Sequence, residues 1–115
     1  MKQHKPIDPQ EAVDFLIEQS KPYAKVKSER VYMEEYRKTI KAQLMIEAER
    51  MGHKTAVTQE REAYSSPEYE AHLQALKEAV ENEERLRWMM IAAQERIAVW
   101  RSQEASNRSI DKATL

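Results

Sequence analysis

AVENEERLRWMMIAAQERIAVWR, running from Ala79 to Arg101, is the stretch on which the fold turns. Ala79, Leu86, Met90, Ala93, Ile97 and Trp100 recur at the spacing of a coiled-coil seam, with Glu83 as its polar member. Trp88, Ile91, Ala92 and Val99 lie about half a turn away. Leu86 to Trp100 is therefore apolar nearly all round, which suits a helix covered on more than one side. A two-helix hairpin covers one side only. The second cover is expected from a first helix folded back across Trp88–Val99, or from a second copy of the chain, since helical hairpins pair into four-helix bundles. Trp88, Ile91 and Val99 all bare to water in an isolated molecule, with nothing lying across them, would remove the case for a docked segment or a binding partner.

Outward from this stretch, the start and stop signals divide the chain. Ser66 as cap, Pro67 in first position and Glu68 in the first turn open the long helix, expected over 67–108 with a frayed tail at 109–115. Upstream, Met33, Tyr36, Ile40, Leu44, Ala48 and Met51 mark a second long helix over 22–51, closed by Gly52. The connector 52–66 has room for one or two helical turns, with Thr55 or Thr58 as cap. Asp8, Pro9 and Glu11 start a short helix over 9–20, which Pro22 ends or kinks by disfavouring helical geometry at Lys21.

Composition agrees. One glycine, no cysteine and abundant Ala, Glu, Lys, Gln, Arg and Met favour helix, and no window alternates as a strand would. The fold class is all-α: one domain of 115 residues, an elongated, coiled-coil-like antiparallel hairpin of two long helices with a short N-terminal helix. Residues 22–54 carry net +3 and residues 67–99 net −3. Opposed arms of opposite charge favour antiparallel pairing and disfavour like with like. Glu34/Lys38, Glu81/Arg85 and Glu83/Arg87 are favourable pairs at i,i+4.

Several function classes are excluded or weakened. No apolar run reaches the roughly 20 residues of a membrane span. A single glycine excludes Gly-rich phosphate loops, and the absence of cysteine excludes thiolate chemistry. His4, His53 and His72 do not form a zinc ligand set, so no metal and no cofactor is expected. Glu81, Glu83 and Glu84 read as a solvated face, no Ser/His/Asp arrangement is recognisable, and a narrow rod offers little concave volume. An enzyme is not expected, nor a small-molecule substrate. The N-terminus lacks the apolar region of a secretory signal, which predicts a cytoplasmic protein.

Two surfaces remain. Arg30, Tyr36, Arg37, Lys38 and Lys41, with Lys27 and Tyr32 nearby, make a candidate single-stranded nucleic-acid patch, where bases stack on tyrosine and cations track phosphates. The competing reading pairs these cations with the acidic arm. Trp88, Met89, Ile91, Val99, Trp100 and Arg101 make a candidate partner-binding surface, Trp and Arg being typical anchors; its competitor is core packing of Ile97 and Trp100.

Tyr32-Met-Glu-Glu-Tyr-Arg-Lys38, Gln59-Glu-Arg-Glu-Ala-Tyr64, Glu84-Arg-Leu-Arg-Trp88 and the run from Glu95 to Arg101 resemble small helical proteins of bacteriophage genomes, some encoded among recombination and single-strand annealing genes. The resemblance spans about residues 30–108 and carries no catalytic signature. It implies a phage accessory protein in the host cytoplasm, acting in DNA recombination or replication through nucleic acid or through another protein. A phage inhibitor docked on a host protein, or a structural coiled-coil dimer, are the alternatives.

Overall fold

The structure, a computed structural model, describes residues 5–114. They are all-α: α1 (Pro9–Arg50), α2 (Ala56–Tyr64) and α3 (Pro67–Thr114). At about 1.5 Å per residue, the 42 residues of α1 and the 48 of α3 are roughly 63 and 72 Å of helix. Among the described residues no helix is long and apolar enough to cross a membrane.

The caps form where side-chain chemistry provides them. Asp8 Oδ1 accepts from the backbone N–H of Gln10 at 3.0 Å and of Glu11 at 3.3 Å, and Pro9 occupies the first helical position. Gly52 takes φ of +106°, and the N–H of His53 donates to the carbonyl of Ala48 at 3.1 Å, closing α1 by the left-handed route that glycine permits. Thr55 caps α2 through its side chain, which accepts from Thr58 N at 3.2 Å. Ser66 Oγ accepts from Glu68 N at 3.3 Å at the head of α3.

Two boundaries differ from expectation. The separate helices over 9–20 and 22–51 are one helix, with Pro22 inside it. Proline withholds the N–H that the carbonyl of Glu18 would accept, but Glu18 and Pro22 are both exposed, so water can serve instead. Meanwhile the inward positions Leu16, Gln19, Tyr23 and Val26 continue at steps of three and four across the proline, and their packing outweighs the local preference of Lys21. The tail is also helical, to Thr114, because neither glycine nor proline interrupts it; Thr114 Oγ1 donates to the carbonyls of Ile110 and Asp111.

Packing groups the described residues into two compact units, one of residues 24–84 and one of residues 5–23 with 85–114. In paired helices each stretch touches only the stretch beside it, so cohesion is local along the axis. In the unit of residues 24–84, α1 and α3 run antiparallel: Arg30 meets Glu83, and Met33 meets His72. Its seam takes Val26, Met33, Ile40, Leu44 and Ala48 from α1 and Leu76 and Ala79 from α3, and Ala63 of α2 is buried in the same unit. In the other unit Ala12, Leu16 and Tyr23 accompany Leu86, Met90, Ala93, Ile97 and Trp100.

The buried apolar positions are mostly alanine: Ala12, Ala48, Ala63, Ala79 and Ala93, joined by Leu86. Small side chains let helix backbones approach closely, while larger neighbours such as Met33, Leu44, Met90 and Ile97 stay half-buried at the flanks. The core is a thin line in each unit.

Candidate functional site

The basic cluster of α1 is partly consumed by the fold. Arg30, expected on a nucleic-acid patch, turns into the seam instead. Its Nε and Nη2 donate to Glu83 Oε2 and Oε1 at 2.5 and 3.0 Å, and Nη1 donates to Glu34 Oε2 at 3.0 Å. The Glu83 side chain is 8 % exposed and that of Arg30 23 %. The Glu83 hydrogen bond holds the Arg30 guanidinium still more firmly protonated than usual, against a smaller opposing cost of burial, with Glu34 adding to it. Glu34 and Glu83 thus serve Arg30, and Lys38 pairs at 3.1 Å with Glu35 rather than with Glu34.

Tyr36 is half-buried, stacked on exposed Tyr32 with ring centroids 5.6 Å apart and 6.0 Å from the His72 ring. His72 Nε2 lies 2.7 Å from the carbonyl oxygen of Met33, a bond that joins α3 to α1 and places this histidine in a structural role. Lys41 is half-buried too. Its Nζ sits 3.5 Å from Glu60 Oε2 and 4.8 Å from the centroid of Tyr64, whose ring meets Tyr69 edge-on at 5.1 Å. Hydrogen bonding to Tyr64, then the charge of Glu60, raises the Lys41 pKa above its ordinary value. Lys41, Glu60, Tyr64 and Tyr69 therefore clamp α2 between the long helices. Among the five predicted residues, Arg37 and Lys38 are the ones that stand exposed.

The second predicted surface also sorts itself. Trp100 is half-buried in the seam and Ile91 is half-buried, while Arg101 is exposed. Trp88 is 59 % exposed, Val99 45 % and Met89 44 %. α1 does not fold back across them; it continues as a helix through Pro22. The segment 9–20 packs beside α3 as part of α1, along Leu86, Met90 and Ala93, and does not cross Trp88 and Val99. The exposure that would remove the case for a cover is therefore met at Trp88 and Val99 but not at half-buried Ile91, and Trp88 lies against its neighbour Arg87 at 5.3 Å.

At roughly 100° per residue, Trp88, Val99, Ala92 and Met89 fall within about 100° of arc on α3, and Arg85 and Arg96 lie in the same arc. Beside this face runs a groove of about 730 Å³ lined by Ile7, Glu11, Phe15, Glu18, Met89, Ala92 and Arg96, among others. Sequence reasoning placed none of Ile7, Glu11, Phe15 and Glu18 on a binding surface; Glu11 was read only as part of the helix start. Phe15 carried a signal as one apolar residue of the first amphipathic stretch, but only the pairing of helices shows which wall it forms. Among the described residues no three His, Asp or Glu side chains converge on a possible metal position. Compared with protein-family models, curated proteins and solved structures, the chain finds no match.

Proposed function

We propose that this chain is a non-enzymatic helical adaptor that binds a protein partner along the outer face of α3. The observation that carries the reading is Trp88, 59 % exposed, on one arc with Val99 and Met89 while the inner seam of the same helix is already filled. A large indole held outward on a rigid helix, with Arg85 and Arg96 alongside, is the composition of an interface anchor. The partner segment brings apolar side chains to Trp88, Met89 and Val99 and carboxylates to the two arginines. The resemblance to phage helical proteins sets the context as an accessory role in recombination or replication.

Direct nucleic-acid binding has less support, because Arg30 and Lys41 are engaged within the fold. The test is an affinity pull-down from infected cells with and without nuclease, run beside Trp88→Asp and Val99→Glu variants. A discrete protein that survives nuclease and is lost with either variant supports the reading. Recovery unchanged by both substitutions, or wholly abolished by nuclease, refutes it.

A further inference from the structure

Resting on the reading that α3 takes a protein along its outer face, we propose that this protein is a second copy of the chain. The two copies join about a twofold axis that sets α1 of each against α3 of the other, within the unit of residues 5–23 and 85–114. The face that makes this contact is built alike on both helices. Glu11, Phe15 and Glu18 recur at steps of four and three, within about 60° of arc on α1. Arg85, Met89, Ala92 and Arg96 recur at steps of four, three and four, within about 60° on α3. Each stripe is apolar at its centre and charged at its ends, acidic on α1 and basic on α3. Phe15, Met89 and Ala92 line the same groove of about 730 Å³, so the stripes lie side by side on one flank of the unit.

Charge decides the occupant. Residues 7–20 hold four acids and no base, and residues 85–101 hold four bases and one acid. Two copies stacked with α1 on α1 bring like charges together. Turned about an axis along the helices, each acidic stripe meets a basic one, neighbouring helices are antiparallel, and the contact made once is made twice. Glu11 and Glu18 stand about 10.5 Å apart along α1, and Arg85 and Arg96 about 16.5 Å apart along α3. Centred on each other, the pairs are offset by about 3 Å at each end, within reach of an arginine side chain. All four are exposed, and among the described residues none of them enters an ion pair within the chain. The same contact lays Phe15 of each copy over Met89 and Ala92 of the other, with Trp88 and Val99 at the rim. Rim charges of this kind choose which faces pair more than they add affinity.

Light scattering of the full chain at high micromolar concentration then gives twice the chain mass. E11R/E18R sets arginine against arginine and R85E/R96E sets acid against acid, so each variant alone falls to monomer mass while its circular dichroism stays helical. Mixed in equal amounts, the two variants restore the doubled mass, because every acidic stripe again meets a basic one. Wild-type chain at monomer mass, dimers of either variant as stable as wild type, or a mixture that stays monomeric each overturn the proposal. Should a reversal variant lose helix, single cysteines decide, since the chain has none of its own. E18C and R85C chains with tags of different length, mixed and treated with a short bismaleimide, give chiefly the mixed product; like-with-like products in equal yield, or no product, overturn the proposal. A monomer that still forms an adduct with another protein from a photo-crosslinker at position 88 overturns this inference and leaves the partner-binding reading standing. A monomer with no adduct removes both.

Discussion

Replacing Glu83 by alanine removes both acceptors that hold the Arg30 fork, at 2.5 and 3.0 Å, and leaves the guanidinium facing the seam with Glu34 as its remaining acid. A hydrogen bond to a charged group contributes about 1.5–3 kcal/mol when a buried partner is lost. Arg30 retains Glu34 and some access to water, which moderates the loss, so removal of Glu83 costs about 2–3 kcal/mol in all. For 115 residues, unfolding entropy of about 2.1 cal/mol/K per residue makes each kcal/mol worth roughly 4 °C. The midpoint of a far-ultraviolet circular dichroism melt at neutral pH should therefore fall by about 8–12 °C. Because Glu83 is nearly buried, the difference should persist at high salt. Glu83→Gln, which keeps shape and one acceptor, should lose less. A change under about 2 °C, or one that salt erases, would mark the pair as an ordinary surface ion pair and refute the reasoning.

Leu86→Ala, in the seam of the other unit, should destabilise by about 2–4 kcal/mol through lost burial and a residual cavity, read in the same melt. Hydrogen bonds from Ser66 and from its own backbone N–H hold Glu68 below the ordinary value of 4.5, so its stabilisation is present above that value and is lost as pH falls through the lower folded value. Ser66→Ala should move the carboxyl titration of Glu68, followed by NMR, back toward 4.5; an unmoved curve contradicts the cap. Lys41 has the opposite sign: its raised value stabilises the folded state below the ordinary 10.5 and is lost as pH rises through the folded value, so Glu60→Gln should bring the midpoint of its NMR titration down. Arg37→Gln with Lys38→Gln should leave single-strand DNA retention unchanged at physiological salt, whereas a steep salt-dependent loss would reinstate the nucleic-acid reading.

Much of the fold was legible because it rests on local chemistry. Asp8, Ser66 and Gly52 act within a few residues of themselves, and the seam of Ala79, Glu83, Leu86, Met90, Ala93, Ile97 and Trp100 follows from helical period alone. Pro22 misled because its penalty is local while the packing that overrides it comes from another helix. The role of Arg30 was hidden for a related reason. Its partner lies 53 residues away, and only the alignment of α1 with α3 reveals that the polar member of one seam meets a cation from the other. Charge partition between the arms pointed to such pairing without naming the pair. The outward face of Trp88 was readable as an apolar stripe; that it stays exposed required knowing that the helix does not end at Pro22.

A photo-crosslinking amino acid at position 88, compared with the same probe at seam position 79, tests the functional account most directly in infected cells. The outward face of α3 predicts one discrete, nuclease-resistant protein adduct from position 88 and none from position 79. The same adducts from both positions, or none from position 88, would contradict it.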